Sequence, residues 1–161
     1  MRRRIVALFL TLTAVPAAAQ VDSLGIFSEW GAFVKSDPKN CYAITQPYRA
    51  PRARGWQAFA SVGFWPRRNV RGQVHFRLSR EKREGSAVLL RIDDQTFQLL
   101  AGKRDAWAPD AKGDALIIAA MRSGVEMTVQ TRARNGARVR DHYRLRGAAT
   151  AIDAAAIECA G

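Results

Sequence analysis

The sequence predicts a mainly-β protein, an antiparallel β-sandwich carrying two short helices. Roughly eight short apolar runs, several alternating strictly with polar residues, are punctuated by Pro, Gly, Asn and Asp. Two segments, at 114–124 and 150–159, switch to helical spacing. No segment repeats and none is low in complexity.

Val21 to Ser28 reads as a short lead into the domain. Trp30 to Val34 is the first strand, ended by the turn residues Ser36-Asp37-Pro38-Lys39-Asn40. Cys41 to Gln46 is the second, stopped by Pro47. Arg49, Arg52 and Arg54 mark an exposed basic loop. Trp56 to Phe64 is the third strand, with Trp56, Ala58, Ala60, Val62 and Phe64 on one face. After a basic turn at 66–69, Gln73 to Leu78 alternates cleanly, with Val74, Phe76 and Leu78 inward. Ala87 to Ile92 and Thr96 to Leu100 flank a hairpin turn at Asp93-Asp94. Asp114 is placed to cap a helix through Leu116, Ile117, Ala120 and Met121, and Gly124 lies just past its end. Strand spacing returns at Val125, Met127 and Val129 and again from Val139 to Leu145. Thr150-Ala-Ile-Asp153 has capping-box spacing and opens an alanine-rich helix with Ile152, Ala156 and Cys159 on one side.

The hairpin around Asn135-Gly136 is the most informative for shape. A two-residue Asn-Gly loop mixes polar with apolar residues on both faces. A three-residue loop, Arg134-Asn135-Gly136, pairs 132 with 138, 130 with 140, 128 with 142 and 126 with 144. That register gathers Val125, Met127, Val129, Val139, Tyr143 and Leu145 on the inner face, so it is the one expected. It turns Asp141 inward, where it needs a hydrogen-bond partner. Glu126, Thr128, Gln130, Arg132, Arg138, Arg140, His142 and Arg144 face outward, with Glu126 opposite Arg144 as an expected ion pair. This stripe, with Arg146 just beyond it, is the candidate polyanion-binding set: Arg132, Arg138, Arg140, Arg144 and Arg146. The competing reading is a solvated sheet surface whose charge blocks edge aggregation.

Residues 1–19 read as a signal peptide. Arg2, Arg3 and Arg4 are followed by an apolar run to Val15 and a small-residue cleavage site at Ala17-Ala18-Ala19. The run is too short to span a bilayer, which takes about 20 residues, so no transmembrane span is expected after cleavage. Residues 20–161 then form one domain, in the periplasm or secreted. Loss of three leader arginines lowers the formal charge from +12 to +9. A basic exported chain meets lipopolysaccharide, acidic lipids and acidic envelope or host glycans, although net charge speaks to non-specific binding rather than to task.

Cys41 and Cys159 are the two cysteines. In an oxidising compartment they are most simply paired, stapling the last helix to the second strand across 118 residues. Closing such a loop stabilises by about 4–5 kcal/mol on the chain-entropy model. The competing reading is a reactive thiol, but neither cysteine lies in C-x-x-C and no histidine is near in sequence.

The chemistry inventory is sparse. His75 lies on the polar face of a strand and His142 sits amid arginines. There is no H-E-x-x-H, no P-loop, no G-x-S-x-G and no G-x-G-x-x-G, so catalytic, metal and cofactor assignments are all none. Asp93-Asp94 is explained by turn chemistry. Trp30, Trp56, Trp65 and Trp107 could line a groove, but core or rim packing is the plainer use. No nucleic-acid-binding signature accompanies the basic charge, so no nucleic-acid partner is expected.

Several segments in order resemble the invasion-associated locus B family of exported bacterial proteins. They are Trp30-Gly-Ala-Phe33, Asn40-Cys41-Tyr-Ala-Ile-Thr-Gln-Pro47, Asp105-Ala-Trp107-Ala-Pro-Asp110 and Ile118-Ala-Ala-Met-Arg-Ser-Gly124. Asn135-Gly136, Asp141-His-Tyr143-Arg-Leu145-Arg-Gly147 and a terminal helix ending at Cys159 complete the series. The arginine-rich stretch 48–72 fits least. The resemblance implies an exported, periplasmic or surface-associated, non-enzymatic protein, linked in some members to host-cell entry, and it carries over no catalytic residues. The expectation is therefore an interaction protein. The alternatives are a polyanion-binding module and a small envelope hydrolase built near Asp105, Trp107 and Asp110.

Overall fold

The computed structural model describes residues 20–52 and 55–160. The signal peptide read at 1–19 and Arg54 of the basic loop lie outside the described residues. Ten strands run as β1 Val21–Phe27, β2 Trp30–Lys35, β3 Asn40–Thr45, β4 Phe59–Trp65, β5 Val70–Arg77, β6 Val88–Ile92, β7 Gln95–Ala101, β8 Asp105–Trp107, β9 Glu126–Arg132 and β10 Arg138–Arg144. Helix α1 is Ala111–Ser123 and α2 is Ala148–Glu158. The strands form one antiparallel sheet in the order β1-β2-β3-β4-β5-β8-β7-β6-β9-β10.

This sheet folds over on itself, so the two layers of the sandwich are halves of one sheet. The Trp30 indole on β2 donates to the Arg144 carbonyl on β10 at 3.0 Å, although the two strands stand near opposite ends of the strand order. Phe76 of β5 meets Tyr143 of β10 with ring centroids 6.3 Å apart. The outer edge of β10 is closed by the segment after β3: Tyr48 N donates to His142 O (2.9 Å) and His142 N to Arg49 O (2.8 Å).

The period-two patterns explain the strands. Val74, Phe76 and Leu78 are buried as the alternation requires, and so are Ala58, Ala60, Val62 and Phe64. Helix α2 lies against β1 to β4. Ala148, Ala151, Ile152 and Ala155 are fully buried there, facing a sheet surface that includes Ala32, Ala43 and Ala60. Small residues on both sides let helix and sheet approach closely, and the Cys41–Cys159 disulfide joins them with Cα atoms 5.8 Å apart.

Several expectations are corrected. The lead at 21–28 is β1, paired with β2; a bulge between Ser23 and Gly25 breaks the alternation that would have marked it. Strand β8 is three residues long, too short to leave a pattern. Trp56 precedes β4 instead of joining it, and its indole donates to Leu78 O at 2.8 Å. Asp110, not Asp114, caps α1, accepting from Gly113 N at 2.7 Å. Asp114 is spent elsewhere: it is buried and accepts from Val74 N of β5 at 2.7 Å. Thr150 is no cap either, because α2 starts at Ala148 after Gly147. Gly147 has φ of 91°, and a Cβ there would collide with the Phe27 carbonyl oxygen, so only glycine fits the entry to α2.

Candidate functional site

The β9–β10 hairpin has the expected register: Arg132 pairs with Arg138, Gln130 with Arg140, Thr128 with His142 and Glu126 with Arg144. Ala133 N donates to Ala137 O at 2.9 Å, closing a three-residue loop whose Gly136 has φ of 82°. Met127, Val129, Val139, Tyr143 and Leu145 are buried. Val125 is not; it precedes the paired region and is 72 % exposed. Asp141 points inward, fully buried, and finds its partner in Ser79, whose N–H donates at 2.9 Å and whose hydroxyl donates at 2.5 Å. Burial pushes the Asp141 carboxyl above its ordinary range, against the pull of these two bonds.

All five candidate arginines, Arg132, Arg138, Arg140, Arg144 and Arg146, are exposed. They are not equivalent. Arg144 does not pair with Glu126 as expected. Its guanidinium reaches Glu29 at 3.4 Å and lies 4.5 Å from the Tyr48 ring centroid. Glu126 accepts instead from the Tyr48 hydroxyl at 3.3 Å. The loop after β3 thus inserts an aromatic ring between the two side chains. Arg132 donates to Gly136 O at 3.2 Å. Among the described residues, Arg138, Arg140 and Arg146 have no carboxylate within 4.0 Å.

His142 sits in the middle of the face. Its Nδ1 lies 3.1 Å from Thr128 Oγ1 and its Nε2 3.5 Å from the Arg49 guanidinium. Burial lowers the imidazole's proton affinity, and the Arg49 and Arg140 charges lower it further, outweighing Glu126 and Asp141. Tyr48 and Arg49 were invisible as members of this face, because a loop about ninety residues earlier in the chain brings them there.

The acids near β8 make a different structure. Asp105 accepts from Arg77 Nε at 2.9 Å and lies 2.9 Å from His75 Nε2. Burial opposes ionisation of Asp105, but the bonds from His75 and Arg77 prevail and hold its carboxyl below the usual range. The His75 ring stacks on Trp107 at 5.2 Å and meets Phe59 edge-on at 5.1 Å. Asp110 is occupied by the α1 N-terminus, so Asp105 and Asp110 serve separate partners. Of the tryptophans, Trp30 is in the core, whereas Trp56, Trp65 and Trp107 are half-buried. Among the described residues no three His, Cys, Asp or Glu side chains converge as a metal site, and no helix is long and apolar enough to cross a membrane.

No protein-family model matches the chain, and no curated protein matches it. Among solved structures, it is similar to the crystal structure of invasion associated protein B from Bartonella henselae. The two superpose with a TM-score of 0.58 at 14 % sequence identity, covering 83 % of this chain and 96 % of that one. The likeness is one of fold.

Proposed function

We propose that this chain is an exported, non-enzymatic interaction protein, akin to invasion-associated locus B proteins, that engages anionic polymers of an envelope or host surface through the outer face of β9–β10. The observation that carries the reading is the pair Arg138 and Arg140 on that face, which have no carboxylate within 4.0 Å among the described residues. Exposed guanidinium groups held at strand spacing can take up carboxylate, sulfate or phosphate bidentately. A disulfide closing the domain favours an oxidising compartment. The separate engagements of Asp105 and Asp110 favour a binding rather than a hydrolytic role.

The test is retention on immobilised heparin and lipopolysaccharide across a salt gradient. The native domain is expected to elute late, with retention falling steeply as salt rises. The triple variant Arg132→Ser, Arg138→Ser, Arg140→Ser is expected to elute near the void at an unchanged melting temperature. Arg144 is left in place because it holds Glu29 and Tyr48. Equal retention of the variant and the native domain would reject the reading.

A further inference from the structure

At the tip of the β9–β10 hairpin, a cleft of about 640 Å³ opens between the hairpin and the side chains of Pro51 and Trp56. Its walls include Pro51, Trp56, Arg80, Arg134, Asn135 and Arg138. That volume falls in the range of small-ligand sites.

Three consecutive residues after β5 anchor it, and of these Arg80 lines the cleft itself. Leu78 O holds the Trp56 indole N–H at 2.8 Å. Ser79 is fixed by its two bonds to the buried Asp141. Arg80, next in the chain, is half-buried and lines the cleft. The Trp56 ring is held a second time, by the Arg104 guanidinium 4.2 Å from its centroid.

Charge in the cleft is unbalanced. Glu81, the one acid among its described lining residues, is taken up by Arg104 at 3.0 and 2.5 Å and by Arg134 at 3.3 Å. Hydrogen bonds from Arg104 and Arg134 hold the Glu81 carboxyl below its usual range, so it stays ionised and matched. Arg80 and Arg138 have no carboxylate within 4.0 Å among the described residues. A held indole beside two unmatched guanidinium groups is a combination that charge alone does not call for.

We propose that this cleft binds an acidic saccharide, the face of a sugar ring lying on Trp56 and its carboxylate or sulfate held between Arg80 and Arg138. Sugar rings present C–H faces that pack on aromatic rings, and planar guanidinium groups match carboxylate and sulfate oxygens. Asn135, in the hairpin loop, offers an amide for ring hydroxyls. The site rests on the anionic-polymer reading and deepens it: the β9–β10 face supplies general attraction, and the cleft selects sugar over bare charge.

The experiment is NMR titration of the domain, following the tryptophan indole and arginine Nε resonances, with a heparin tetrasaccharide and separately with tripolyphosphate. The tetrasaccharide is expected to move the Trp56 indole and the Arg80 and Arg138 signals saturably. Arg80→Ser and Trp56→Leu are each expected to weaken its Kd by roughly tenfold, as losses of anchoring residues do. Tripolyphosphate is expected to bind more weakly and to leave the Trp56 signal in place. If Trp56→Leu fails to fold, the native spectra and Arg80→Ser decide. Binding of the tetrasaccharide that moves only Arg132 and Arg140 signals, with Arg80→Ser unaffected, overturns the cleft and leaves the wider face standing. Equal movement of Trp56 by tripolyphosphate overturns the sugar assignment. Absence of any binding at low salt overturns both.

Discussion

Replacing Asp141 with alanine should destabilise the domain by about 2–4 kcal/mol at neutral pH. The side chain is fully buried and accepts from both the backbone N–H and the hydroxyl of Ser79, which is itself fully buried. Removing it strands two donors, each costing about 1–3 kcal/mol when buried without a partner. Part of that is offset, because the variant no longer buries a carboxylate whose ionisation the core resists. The offset depends on pH. The folded carboxyl is raised above its unfolded value, so the folded state holds its proton longer. Stability from this residue is complete below about pH 3.9 and falls as pH rises through the raised value. Asp141→Asn keeps an acceptor and removes the titration. Guanidinium unfolding curves followed by tryptophan fluorescence, for the native domain and Asp141→Asn between about pH 4 and pH 8, isolate the effect. The native advantage should shrink as pH rises. Asp105 and Glu81, whose carboxyls are lowered, slope the other way in both proteins and cancel in the difference. A pH-independent difference, or Asp141→Ala within about 0.5 kcal/mol of the native domain, would refute the reasoning.

The Tyr143 hydroxyl is buried with no hydrogen-bond partner among the described residues, so Tyr143→Phe should stabilise by about 1 kcal/mol in the same unfolding assay. Replacing both Cys41 and Cys159 with serine should cost about 4–5 kcal/mol on the chain-entropy model, read as a lower guanidinium midpoint. His142 should titrate by NMR below the ordinary histidine value of about 6.5, and Arg140→Ser should raise it. Because its folded value is depressed, stability drawn from neutral His142 is lost as pH falls through the unfolded value toward the folded one.

The parts of the fold legible in the sequence are those whose signal is local. The β9–β10 register follows from an inner face of Met127, Val129, Val139 and Tyr143 and from a glycine able to take positive φ at 136. The Asp93-Asp94 turn is equally local, with Ile92 pairing to Gln95 across it. Strand β1 was hidden by its bulge and β8 by its brevity. Helix caps were misplaced because Asp114 has the right chemistry for a cap but a better partner in Val74 N. At the candidate site the exposure of the arginines was legible, since it follows from register. Their partners were not. Tyr48 separates Glu126 from Arg144, and Trp56 and Arg80 meet Arg138 in one cleft, through packing that spans the chain.

The bridge between Cys41 and Cys159 ties β3 to α2 across 118 residues of chain. A chain interrupted anywhere before 159 cannot close it. One interrupted before α2 also leaves bare the alanine-lined surface on β2 to β4 that α2 covers, an apolar strip that invites proteolysis or capture by folding assistants. Oxidation of this pair therefore reports that α2 has been made and is docked, making the disulfide a built-in check on assembly as much as a source of stability.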